Sequence, residues 1–103
     1  MKLKRWLKYK WQELTRGFSD KELWNLDITI AEFILPRLER FIEYQHGIPG
    51  DLTEEEWKEI LGRMIKAFKI ISSDDFWDMD VEKKCAVESG LDFFREYYFA
   101  LWD

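Results

Sequence analysis

Apolar residues recur along this chain at spacings of three and four. Leu3, Leu7, Trp11 and Leu14 form the first such series, with Arg5, Lys8 and Gln12 opposite and Gly17 after it. That is the pattern of an amphipathic helix with a glycine stop. A second series starts at Ser19, where Glu22, three residues on, has the spacing of a capping box. It predicts a helix to about residue 45, stopped by Gly47 and containing Pro36. Pro36 lacks a backbone donor and crowds the carbonyl of Glu32, so a kink at 32–36, or a break into two helices, is expected. The third series has Thr53 as N-cap and Glu56 in the box position, with Glu54 and Glu55 suited to the helix dipole. Trp57, Ile60, Leu61, Met64, Phe68 and Ile71 make its apolar face. After a polar loop from Ser72 to Asp80, Val87, Leu91, Phe94, Tyr98 and Leu101 predict a last helix reaching Leu101. Gly90 falls in the same apolar sector, where it permits close helix contact at a cost of about 1 kcal/mol in helix propensity. No segment sustains period-two alternation. The expected fold is all-α: a compact antiparallel bundle of about four helices, the second kinked near Pro36.

Charge divides the chain in two. Residues 1–17 carry Lys2, Lys4, Arg5, Lys8, Lys10 and Arg16 against Glu13, a net +5. The whole chain is −5, so residues 18–103 carry −10. The expected organisation is therefore a basic amphipathic N-terminal helix at 1–17 and an acidic bundle body at 18–103. An acidic body repels phosphate, so it is not expected to bind DNA. The opposite charges predict that the basic arm lies against its own body or a neighbour's. A membrane surface is the other use of such a helix. No apolar run approaches the roughly 20 residues of a membrane span, and no secretory apolar stretch follows the basic start. The single cysteine, Cys85, has no internal partner, which fits a reducing compartment.

Two charged residues fall in the apolar arc of the second helix. On a wheel of about 100° per residue, Asp27 lies between Leu23 and Leu38, and Arg37 between Leu26 and Ile30. Both are therefore candidates for burial. They stand about 15 Å apart along the helix, so each needs its own partner. Asp27 then caps a neighbouring helix and Arg37 bonds helix-end carbonyls or a carboxylate. The sharper reading is a polar pocket among aromatics where Arg37 receives an anionic ligand. The chain holds six Trp, eight Phe and four Tyr, most at core spacing. Trp24, Phe99 and Trp102 sit at the margins of their apolar faces, which points to self-association or to base stacking. The candidate ligand-binding residues are Trp24, Asp27, Arg37, Arg40 and Trp57.

Catalytic chemistry is sparse. His46 is the one histidine and sits beside Gly47, a C-capping position. Nothing in its spacing from Cys85 favours a nucleophile–base pair. There is no Gly-rich phosphate loop and no nucleophile elbow. The acids Asp74, Asp75, Asp78 and Asp80 fail the EF-hand pattern, because Phe76 and Met79 stand where a ligand and the glycine belong. No catalytic residue, metal or cofactor is expected. A metal-dependent carboxylate hydrolase is the weakest alternative.

The runs Arg16-Gly17-Phe18-Ser19-Asp20, Leu23-Trp24-Asn25-Leu26-Asp27, Phe33-Ile34-Leu35-Pro36-Arg37-Leu38 with Phe41, and Gly47-Ile48-Pro49 form a distinctive pattern. So do Leu52-Thr53-Glu54-Glu55-Glu56-Trp57, Met64-Ile65-Lys66-Ala67-Phe68, and the ending Gly90-Leu91, Phe94, Tyr97-Tyr98 and Leu101-Trp102. The pattern resembles a family of small bacteriophage-encoded proteins of no assigned function, over roughly residues 16–102. The resemblance implies a viral origin and action in the host bacterial cytoplasm, and carries over no catalytic residue. It implies a non-enzymatic accessory protein that counteracts host defence by binding: it sequesters a nucleotide-type immune signal or blocks a host protein. The alternative is a protein-interaction or assembly module with no small ligand. A homo-oligomer is expected under either.

Overall fold

The computed structural model describes residues 2–44, 47–73 and 80–102. They form four helices: α1 (Lys2–Arg16), α2 (Leu26–Tyr44), α3 (Glu54–Ser72) and α4 (Val81–Glu96). Two short 3-10 turns, Asp20–Leu23 and Tyr98–Ala100, precede α2 and follow α4. No strand occurs among the described residues, and the fold is an all-α bundle of about four helices.

The middle helix is α3. Thr53 starts it: its hydroxyl accepts from the Glu56 N–H at 3.1 Å, and the Glu56 carboxylate accepts from the Thr53 N–H at 2.9 Å. This reciprocal box satisfies two backbone donors that the helix cannot. From there Trp57, Ile60, Leu61, Met64, Ala67, Phe68 and Ile71 are all buried, and they form most of the core with Ala31, Leu38 and Val87. α2 and α4 both pack on α3 and do not pack on each other. At the α3–α4 crossing, a β-carbon on Gly90 would run into the Ala67 β-carbon and the Arg63 carbonyl. The absent side chain is what brings the two helices together there.

Several elements depart from the sequence expectation. The helix expected from Ser19 is interrupted. Glu22 does accept the Ser19 N–H at 2.7 Å, but the box closes only a 3-10 turn. Asn25, a favoured N-cap type, then opens α2: its carbonyl accepts the Thr29 N–H at 2.9 Å. The Thr29 hydroxyl donates to the Glu22 carbonyl at 3.1 Å and ties the turn to the helix. Pro36 does not split α2, which is helical from Leu26 to Tyr44. Gly17 is left-handed at φ +83, and its N–H bonds the Glu13 carbonyl, the expected helix stop. Gly47 does not take that conformation; Gly50 does. α4 ends at Glu96 and not at Leu101. Tyr97 meets the buried Trp57 edge-on at 5.6 Å, and Ala100 and Leu101 fold onto the core. That packing outweighs the helical period of the sequence. Asp80 caps α4, its carboxylate accepting the Lys83 N–H at 2.8 Å. The remainder of the loop expected between Ser72 and Asp80, residues 74–79, lies outside the described residues.

Candidate functional site

The basic helix α1 does not lie on its own body, the first of the two placements expected for it. The 3-10 turn Asp20–Leu23 is the one other element it packs on, and none of its residues is buried. The attachment is polar. Gln12 donates to the Asp20 carboxylate at 2.8 Å and accepts the Asp20 N–H at 2.6 Å. Arg16 pairs with the same carboxylate, and Tyr9 meets Trp24 edge-on at 5.9 Å. Tyr9, Gln12 and Arg16 thus form the side of α1 that faces the chain. At 100° per residue, Leu3, Leu7, Trp11 and Leu14 lie about 180° away. The apolar stripe therefore points into solvent, with Leu3 69% and Leu14 83% exposed. The chain has a radius of gyration of 16.7 Å, against about 13 Å for a globular chain of its length, because this arm projects.

Asp20 controls the attachment. Its hydrogen bonds from Gln12 and then Arg16 hold its carboxyl below the ordinary carboxylate range. Because the folded group is the stronger acid, its contribution is full above the ordinary carboxylate pKa and is lost as pH falls through the lowered one. The expected result is that α1 stays anchored at neutral pH and is released in strong acid. The part of the tryptophan fluorescence change that is lost in Trp24→Phe reads the release, and Asp20→Asn abolishes the acid step by leaving the arm loose throughout.

The second exposed face is on α2. Leu26, Ile30, Phe33, Arg37, Arg40 and Tyr44 follow a 4-3-4-3-4 spacing, and all are exposed. The adjoining side of the same arc, with Ala31, Leu38 and the half-buried Ile34, Leu35, Phe41 and Ile42, packs on the core. The outer stripe is aromatic and cationic. The Arg37 guanidinium lies 3.7 Å over the Phe33 ring, and that of Arg40 lies 3.8 Å over the Tyr44 ring. Arg37 also donates to the Phe33 carbonyl at 2.8 Å. That carbonyl is the neighbour of the one Pro36 leaves without a backbone donor, so the side chain supports the helix where proline weakens it. Arg40 also bonds Glu43 at 2.9 Å and the Tyr44 hydroxyl.

The five residues predicted to bind a ligand do not converge. Arg37 and Arg40 share the outer stripe of α2. Trp24 is exposed on the 3-10 side of that helix, against Tyr9. Asp27 and Arg37 are exposed, not buried, because α2 has a neighbour on only one side of its broad apolar arc. Asp27 sits in the first turn of its own helix, where its charge suits the dipole, and not on a neighbour. Trp57 is 0% exposed and belongs to the core, so its ring offers no stacking surface. Phe33 and Tyr44 were missed, although their spacing with Arg37 and Arg40 is visible in the sequence. Phe99, 89% exposed, and Trp102 are on the surface as their positions predict. Cys85 is exposed. His46, Asp74, Asp75 and Asp78, with their expected roles, lie outside the described residues. Among the described residues, no group of acids, histidine or cysteine is placed to hold a metal ion, and no helix is long and apolar enough to cross a membrane. No protein-family model matches this chain, and no curated protein and no solved structure shows significant similarity to it.

Proposed function

We propose that this chain is a non-enzymatic bacteriophage accessory protein that blocks a host protein by holding it against the exposed apolar flank of α2. One observation carries the reading: the exposed Leu26–Tyr44 stripe, with arginines stacked on its aromatics. Helices of stable domains ordinarily cover their apolar arc, and on α2 half of that arc is left exposed. Aromatics and arginine together are the composition of energetic centres in protein interfaces. The rings are already held by neighbouring guanidiniums, so little side-chain freedom is lost on docking.

The same geometry favours a protein partner over a nucleotide. Trp57 is enclosed, and the two arginines are engaged with Phe33, Glu43 and Tyr44. The resemblance to phage proteins supplies the setting, a bacterial cytoplasm.

Affinity capture from a bacterial lysate tests the reading when wild type is compared with Phe33→Glu. Phe33 is 58% exposed, so the substitution leaves the fold intact. A lost hot spot of at least about 2 kcal/mol weakens the captured complex at least tenfold, at about 1.4 kcal/mol per decade. Equal capture by both proteins contradicts the proposal.

A further inference from the structure

The open side of the bundle has room for one more helix. Because α2 and α4 meet α3 but not each other, a groove of about 460 Å³ runs between them with Phe68 and Ile71 as its floor. Ile30 forms one wall, and Val87 and Leu91 the other. The polar groups at its edge are Asp27 and Glu88, with Lys84 beside them. From Lys84 to Leu91 the wall is about 10 Å long, two turns of helix. In a closed four-helix bundle a fourth amphipathic helix covers such a floor.

The chain owns a helix of the matching chemistry, and that helix is held elsewhere. The stripe Leu3, Leu7, Trp11, Leu14 is unpartnered and faces away from its anchor on Asp20. Lys4 and Lys8 flank it on one side and Lys10 on the other. Residues 1–17 carry +5 and the rest −10, and two of the three charges at the groove edge are acidic. Helix-in-groove docking buries an apolar stripe of this kind, and the charges steer it.

We infer that α1 of a second copy fills the groove, and that two copies exchange arms about a twofold axis, each completing the partner's four-helix bundle. The inference rests on reading the protein as one that works through protein contacts. It names the occupant of the groove and leaves Phe33, Arg37, Arg40 and Tyr44 open for the other partner. An anionic membrane also attracts α1, but it leaves the groove uncovered, and the −10 body is repelled from it.

Light scattering on the full chain, with two sets of variants, tests this. Wild type is expected at twice 12.7 kDa. Leu7→Glu with Trp11→Glu disables the arm; Ile30→Glu with Leu91→Glu disables the groove. All four residues are exposed, so each variant keeps wild-type helicity by circular dichroism and runs as a monomer. Mixing the two variants restores dimers, since one intact arm then meets one intact groove. A monomeric wild type, a dimer that survives either variant, or failure of the mixture to associate overturns the inference. So does salt-sensitive sedimentation of α1 with phosphatidylglycerol vesicles by a protein that stays monomeric. A wild type that is monomeric and still captures a host protein through Phe33 sinks the dimer alone. A wild type that neither associates nor captures sinks the wider reading.

Discussion

Trp57→Ala is expected to strip this protein of a large part of its stability. Trp57 is fully enclosed at the start of α3 and meets Tyr97 edge-on. Its removal takes away the largest fully buried side chain of the core and leaves a cavity beside Tyr97. Truncating a buried tryptophan or phenylalanine costs about 3–5 kcal/mol, and an edge-on aromatic pair adds about 1 kcal/mol. Domains of this size have about 5–15 kcal/mol in all. Urea denaturation followed by circular dichroism is expected to show a midpoint collapse of that order. Were Trp57 a stacking platform for a ligand, the variant would keep its stability and lose only binding. Trp57→Phe is expected to recover most of the loss, because the aromatic contact with Tyr97 is retained.

Gly90→Ala is expected to destabilise, although alanine is the better helix former by about 1 kcal/mol. The added methyl meets the Ala67 β-carbon and the Arg63 carbonyl, both on α3. Neither is the end of a flexible side chain, so α3 and α4 must separate. Overpacking of this kind costs about 1–3 kcal/mol, and the separation also loosens Phe94 from Phe68, now edge-on at 5.1 Å. The clash outweighs the propensity gain. The net loss reaches about 2 kcal/mol, and at roughly 4–8 °C per kcal/mol the melting temperature falls by up to about 15 °C. Gly62→Ala is the control. A β-carbon there meets nothing within 4 Å, so the propensity term acts alone and stability rises. Equal responses at the two glycines would show that the crossing at Gly90 is not tight.

These two sites mark what the sequence made legible. The face of α3, its Thr53–Glu56 cap, the Asp80 cap and the close approach at Gly90 all follow from spacing and local chemistry, and all appear in the structure. The errors arise where a pattern does not say how many neighbours a helix has. α2 carries an apolar arc wide enough to be covered from two sides, and α3 covers one. Asp27 and Arg37, inside that arc on the wheel, are consequently at the surface. α1 carries an apolar stripe, but its polar side holds the attachment, through Gln12, Arg16 and Asp20. Periodicity identifies a face that needs covering. Whether the cover comes from the same chain is a question of tertiary arrangement, and here two such faces are left to solvent.

Both open faces support the proposal that the molecule acts through what it holds. Phe33, Arg37, Arg40 and Tyr44 are the group on which that argument depends most, since they are exposed, mutually ordered and unused by the core.

Native mass spectrometry of the protein recovered from bacterial cells, for wild type and Phe33→Glu side by side, addresses that argument most directly. The expected wild-type spectrum contains complexes whose masses are sums of protein subunits, and Phe33→Glu loses the foreign subunit while remaining folded. A wild-type chain that carries only a small-molecule adduct, retained unchanged by Phe33→Glu, would contradict the account.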